Sequence, residues 1–239
     1  MSDKVRMFIG TSSNGEDAMI EMAYEYTLRK NTNRDLEITW MRKSDEGFWS
    51  GFADKKWSTP FSGFRWAIPE ACGFEGRAIY TDCDMLNFED VGNLLDVDIP
   101  DDKWMVARNG TRFGGKEFCV IVFNCAKFKN NMPPVLSWKR EENAHHAFIQ
   151  QFQQHNLVGT LDPKWNSHDG DVEPFSILHY THMPTQPWKP EWFTGVAEEH
   201  PRPDLVQLFW DTAREAEQAG YKIEDYTIDR GIQYGIIGK

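Results

Sequence analysis

Cysteine is scarce: the chain has four, Cys72, Cys83, Cys119 and Cys125, and none form a C-x-x-C pair. That pattern gives no disulfide framework and no zinc site. Cys119 and Cys125 flank an apolar run, where the expectation is a reduced core thiol. Basic charge is also in short supply. There are 26 Lys and Arg against 37 Asp and Glu, so the net charge is -11 and the pI is near 5.1. An acidic surface repels nucleic acid and anionic lipid, and no nucleic-acid partner is expected. Any phosphate-bearing ligand must then be met locally, by a metal ion or by a few placed cations. No run is long and apolar enough for a transmembrane segment. The N-terminal residues lack a signal-peptide core, and a cytoplasmic location is the expectation. Nothing matches a nucleophile elbow, a zincin or a kinase signature. The turn Thr11 to Gly15 holds one glycine and lacks the spacing of a dinucleotide or P-loop site.

What the chain does have is aromatic mass, with 10 Trp and 16 Phe in 239 residues. Most of these rings are expected in the core. Some are expected to line a surface that stacks on a sugar or a base. The length suits one substantial α/β domain, and no repeat or linker divides it.

Val5 to Gly10 reads as a buried first strand. Ser13 and Glu16 have capping-box spacing ahead of a helix over 16–30, with Met19, Met22, Ala23 and Tyr26 on one face. Leu36 to Trp40 alternates like a second strand. A β-turn-α-β order favours a parallel sheet with helical crossovers. Residues 44–60 read as a loop, and 61–71 as a helix that Pro69 bends or ends. Arg77 to Tyr80 reads as a strand ending at Asp82-Cys83-Asp84, with a short helical segment from Asn87. Met105 to Ala107 and Phe118 to Phe123 read as strands, the second central. Short helices and loops are expected over 126–175, a late strand over 176–180, and a helix from Pro203 that stops at Gly220.

Asp82 and Asp84 can meet one hard divalent cation, because Mn²⁺ and Mg²⁺ prefer oxygen ligands and a diphosphate completes the shell. An Asp-x-Asp triplet also occurs on plain loops and caps. Its place after an apolar strand favours the ligand reading, since α/β sheets bind ligands beyond the carboxyl ends of strands. His179 ends the late strand and is either a core histidine or a third ligand; His182 is a second candidate. Thr11 and Ser12 are either a helix cap or nucleotide contacts. Arg65 is either solvated or turned to a phosphate or base. His145-His146 point in different directions on any regular element, and a structural or surface role is expected.

Thr59-Pro60-Phe61-Ser62-Gly63-Phe64-Arg65-Trp66-Ala67-Ile68-Pro69 and Ala78-Ile79-Tyr80-Thr81-Asp82-Cys83-Asp84-Met85 resemble the central segment of GT-A-fold glycosyltransferases. The match is to the retaining, glycogenin-like group that includes bacterial lipopolysaccharide sugar transferases (glycosyltransferase family 8-like). His179 to Trp188 resembles that group's late His-x-x-Gly-x-x-Lys-Pro-Trp motif. The resemblance implies an α/β fold: a single GT-A-type, Rossmann-like nucleotide-diphospho-sugar transferase domain with a mixed, mostly parallel central sheet. Residues 1–125 would form the nucleotide-sugar half, 126–200 the acceptor side and lid loop, and 201–239 a C-terminal helix and tail. Asp82, Asp84 and His179 would bind Mn²⁺ or Mg²⁺. Thr11, Ser12 and Arg65 would contact the nucleotide, with UDP expected. Tyr80, Cys83, Asn124, Gln186, Trp188 and Lys189 would complete the donor site. The late motif departs from the group: it has one extra residue, His182 in place of Gly, and Gln186 in place of Lys. Lys189 is the candidate to replace that cation. The group's acceptor-side Asp-Gln pair is missing from 126–165, and Asp162 and Glu142 are the acidic residues left there to act in catalysis.

The implied activity is transfer of a sugar from a nucleoside diphosphate sugar to a carbohydrate or other hydroxyl acceptor, with retention. A non-catalytic nucleotide-sugar or glycan-binding module on the same fold is the alternative. A nucleotidyltransferase would need a basic, Gly-rich triphosphate loop that Thr11 to Gly15 does not supply.

Overall fold

The computed structural model describes residues 4–111, 115–190, 195 and 198–226. The chain begins with β1 (Val5–Gly10), α1 (Ala18–Lys30) and β2 (Leu36–Met41), as the alternation and helical spacing predict. The capping box does not form. The cap position is Asp17, and Asn14 Oδ1 instead accepts from the Glu16 N–H at 3.1 Å in a local turn. Residues 64–67 make a 3-10 turn that runs into α2 (Ile68–Ala71), with Pro69 in its first turn, where a missing N–H does no harm. Phe61, Phe64 and Ile68 are buried as expected, whereas Ala71 faces solvent.

β3 (Arg77–Asp82) is followed at once by β4 (Met85–Asn87). The helical segment expected from Asn87 therefore starts later: Asp90 caps a 3-10 turn at Val91–Asp96 by accepting from the Gly92 N–H. β5 (Met105–Asn109) and β6 (Lys116–Asn124) come next, then α3 (Val135–Trp138) and α4 (Ala144–Gln154). The sequence hid α4 because its buried face, Ala144, His145, Phe148, Ile149 and Phe152, is interleaved with Gln and a second His. β7 (Val158–Leu161), β8 (Ser167–His168), β9 (Ile177–His179) and α5 (Pro203–Gln218) complete the described elements. Gly220, at φ 94°, ends α5 in the left-handed region that glycine enters freely.

The six-stranded sheet has the order β2-β1-β3-β6-β5-β7. The β1–β2, β1–β3 and β5–β7 pairs are parallel, and β6 runs antiparallel to both its neighbours. This is the mixed, mostly parallel sheet that was expected. Side-chain alternation splits the core in two. Val5, Met7, Ile9, Val120 and Val122 pack on one face against α1 and α5. Phe8, Ile121 and Phe123 pack on the other, with Trp49, Phe52, Phe64 and Trp66. Most of the aromatic mass belongs to that second layer. A small sheet, β4-β9-β8, stands beside the large one.

Candidate active site

Topology brings the site together. Parallel β1 and β3 pair Gly10 with Asp82, so the turn after β1 and the Asp82–Asp84 segment open at the same edge. The chain then passes into the small sheet, where β4 pairs Met85 with His179 on antiparallel β9. Two residues beyond Asp82, the chain therefore lies beside the end of β9. The Tyr180 N–H donates to the Asp84 carbonyl at 3.0 Å and fixes that approach.

Asp82 is held from the large sheet. Arg65 Nη2 stands 3.2 Å from Asp82 Oδ1, and the Tyr80 hydroxyl donates to the same oxygen. The guanidinium also lies over the Tyr80 ring, 4.4 Å from its centroid, and donates to the Ser62 and Phe118 carbonyls. Arg65 is only 6 % exposed, so it is not the solvated residue of the simpler reading. It fixes and neutralises Asp82. Burial of its charge is opposed by Tyr80 and Asp82, and the net effect raises its pKa.

Asp84 is held from the late loop. Gln186 Nε2 donates to Asp84 Oδ2 at 2.9 Å and to the Tyr180 carbonyl at 2.7 Å. Where the family motif has a Lys, this chain thus has an amide that positions a carboxylate. Asp84 Oδ1 lies 3.1 Å from His179 Nε2 and, although buried, receives no hydrogen bond. Burial pushes the Asp84 carboxyl up, but the adjacent His179 outweighs it, and its pKa is lowered. Burial likewise pushes the His179 pKa down, but Asp84 and then Asp82 outweigh it, and the net shift is upward. His179 Nδ1 meets Asn166 Oδ1 at 2.9 Å. With Nδ1–H donating to that oxygen, a cation replacing the proton at Nε2 would meet a ring already aimed at the carboxylates. Asn166 carries no sequence signal and was not anticipated.

These residues fit a divalent cation. A buried carboxylate oxygen that receives no hydrogen bond and an imidazole nitrogen 3.1 Å from it are donors that such an ion would join. Asp82, Cys119 and His179 each offer a ligand atom, and these atoms lie within 4.8 Å of one another. Cys119, expected as a core thiol, reaches this edge because β3 pairs Thr81 with Val120 of antiparallel β6. Its pairing with β5 jumps from Ala107–Ile121 to Arg108–Glu117, so residues 118–120 drop out of that ladder.

The first turn is already occupied by protein partners. Thr11 Oγ1 donates to Glu21, and the Thr11 N–H donates to the Met41 carbonyl. Glu21 is in turn paired with buried Arg42. Ser12 Oγ donates to Asp17 Oδ2 at 2.9 Å. Asp17 Oδ1 also accepts from Trp188 Nε1 at 3.0 Å and from Lys189 Nζ at 2.7 Å. Lys189 stands 3.3 Å from Glu16 as well. Lys189 is therefore paired with two carboxylates, and Asp17 clasps the late loop to the start of α1. Trp188 is 4 % exposed and packs against Tyr180 and Phe209. Residues 185, 186 and 188 are buried in the body of the protein.

Several expected contacts are corrected. Asn124 pairs with Arg77 at the opposite end of β3 from Asp82, roughly 17 Å away at about 3.3 Å per residue. β6 is antiparallel, which puts its start rather than its end at the site. The Cys83 side chain points into the core, and burial drives its thiol pKa well up. Asp162 is exposed and caps a 3-10 turn by accepting from the Lys164 N–H. Glu142 is half-buried and faces Lys55 and Lys56. Among the described residues, no hydrogen bond or ion pair links either acid to the Asp82–His179 group. His182 is exposed and lies 3.6 Å from Glu198, away from the cluster. His145 accepts from Trp66 Nε1 at 2.9 Å, the structural role expected of it, while His146 is exposed. A cavity of about 310 Å³ lies elsewhere, against Phe8, Thr39 and Trp49.

The architecture is shared with known structures. WbbM, a bifunctional glycosyltransferase, superposes with a TM-score of 0.60 at 13 % identity, over 94 % of this chain and 52 % of that one. The present chain thus spans about half the length of that protein. GlyE of Streptococcus pneumoniae gives 0.58 at 14 % identity, over 99 % of this chain and 66 % of that one. The galactosyltransferase LgtC, solved with donor and acceptor sugar analogues, gives 0.59 at 13 % identity, over 88 % of this chain and 96 % of that one. The chain has the GT-A glycosyltransferase fold. A curated sequence relative, Protein CDI of Arabidopsis thaliana, is 25 % identical over 211 residues, covering 74 % of this chain and 79 % of that protein. No known family profile matches the sequence. No described helix is long and apolar enough to cross a membrane.

Proposed function

We propose that this chain is a metal-dependent glycosyltransferase that transfers a sugar from a nucleoside diphosphate sugar, with UDP as the nucleotide, to a hydroxyl acceptor with retention. One observation carries the reading: Asp82, Asp84 and His179, from two sheets, converge at the carboxyl edge of parallel β1 and β3. That edge is where α/β folds bind nucleotides. Asp82, His179 and Asp84 surround the place that a divalent cation would take. Such an ion would supply positive charge to stabilise the leaving diphosphate. Arg65 and Tyr80 keep Asp82 aimed, Gln186 keeps Asp84 aimed, and Asn166 sets the His179 tautomer. The Asp17 clasp closes the late loop over the first turn and limits water access. Retention and UDP rest on the resemblance to the glycogenin-like group.

A second reading, a non-catalytic nucleotide-sugar-binding module, is favoured by the surface positions of Asp162 and Glu142, which leave the acceptor side without an acid from that region.

The test is thermal unfolding across a panel of nucleoside diphosphates and diphospho-sugars, with and without Mn²⁺. A ligand at about a hundredfold excess over its Kd stabilises the fold by roughly 2.7 kcal/mol. A Mn²⁺-dependent upward shift with UDP or a UDP-sugar is expected. No shift with any nucleotide would refute the donor site.

A further inference from the structure

We infer that the cation site is a mixed Asp82–Cys119–His179 set, which selects a thiophilic divalent cation, zinc over manganese. This inference rests on the metal-dependent reading above and deepens it.

Three strands supply the ligand atoms: Asp82 ends β3, Cys119 sits in the irregular stretch of β6, and His179 ends β9. Their ligand atoms lie within 4.8 Å of one another. Around a tetrahedral zinc, with Zn–N near 2.0 Å and Zn–S near 2.3 Å, ligand atoms stand roughly 3.3–3.8 Å apart. Small side-chain adjustments close that gap. A second observation also points to a cation. Asp84 Oδ1 is buried without a hydrogen bond, 3.1 Å from His179 Nε2, beside the converging atoms.

The donor set decides the metal. Mg²⁺ and Mn²⁺ favour all-oxygen surroundings, whereas a thiolate favours zinc and its soft neighbours. Three protein ligands with one position open is the arrangement of catalytic zinc sites, and a diphosphate oxygen suits the open position. Fully buried Asn166 fixes the imidazole from behind. As the Sγ–metal bond forms, the Cys119 proton leaves to water. No oxidant or reductant is involved.

The test uses Co²⁺ as a spectroscopic stand-in for zinc, added to the full chain in the presence of UDP. Wild type is expected to show visible d–d bands together with a near-ultraviolet thiolate-to-cobalt charge-transfer band. Cys119→Ser is expected to keep visible bands and lose the ultraviolet one. Its preference for Zn²⁺ over Mn²⁺, measured by competition, should fall by about tenfold or more. Cobalt bands in wild type without the thiolate band, and an unchanged preference in Cys119→Ser, would place Cys119 outside the shell. That outcome would overturn this inference while leaving the metal-dependent reading intact. No binding of Co²⁺, Zn²⁺ or Mn²⁺ with UDP present would overturn both.

Discussion

Lys189→Met removes the cation that ties the late loop to the start of α1. Lys189 Nζ is 2.7 Å from Asp17 and 3.3 Å from Glu16, and both ends of the Lys189–Asp17 pair are more than nine-tenths buried. Removing one partner of a buried pair costs about 3–5 kcal/mol, because the other charge is left uncompensated. Here Asp17 keeps two neutral donors, Ser12 Oγ at 2.9 Å and Trp188 Nε1 at 3.0 Å. Those contacts lower the expected loss to about 2–3 kcal/mol. Asp17→Asn should cost a similar amount. The Asp17→Asn/Lys189→Met double variant should recover part of the sum, with a coupling of at least about 1 kcal/mol. Urea unfolding of the four proteins gives these numbers, and limited proteolysis reports whether the segment around Trp188 loosens. Single-variant losses under about 0.5 kcal/mol that add without coupling would refute the clasp.

The remaining predictions concern pH, packing and metal support. Burial first, then Arg65 and His146, hold the His145 pKa down to about 3. Its contribution is therefore complete above pH ~6.5 and is lost as pH falls from there towards 3, at up to about 1.4 kcal/mol per pH unit. His145→Gln keeps an acceptor for Trp66 but cannot titrate in this range, so its stability should fall less steeply between pH 6.5 and 5; parallel profiles would contradict the assignment. Gly63→Ala places a Cβ 2.1–2.6 Å from the Trp57 ring, and unfolding should show a loss of about 1–3 kcal/mol. Asn166→Ala should weaken cation affinity by about 10–100-fold in calorimetry; unchanged affinity would mean that Asn166 only packs.

The parts that were legible from sequence are those with a local signal. β1, α1, β2 and α5 show period-2 or 3.6 patterning over enough residues to be read directly. The Asp-x-Asp stands at the end of an apolar strand, as its pattern suggests. The parts that were missed depend on pairing between distant strands. Nothing local distinguishes β6 as antiparallel, yet that direction moves Asn124 away from the site and brings Cys119 into it. β4 has three residues, too few for a period, and forms because β9 offers it an edge. Arg65 and Lys189 were expected to face a ligand, whereas each is paired with a carboxylate of the chain itself. Tertiary charge pairing of this kind leaves no trace in spacing. Asp17 carries no signal of its own in the sequence, and its role as a clasp depends on Trp188 and Lys189, more than 170 positions away.

The central claim is sugar transfer at the Asp82–Asp84–His179 edge, and donor hydrolysis tests it most directly. UDP-sugars are incubated with the protein and a divalent cation, Mn²⁺ or Zn²⁺, without acceptor, and released sugar is measured for wild type and Asp84→Asn. The account predicts slow, cation-dependent release by wild type and none by Asp84→Asn at unchanged secondary structure. Equal release by the two proteins, or none by wild type with any UDP-sugar it binds, would contradict it.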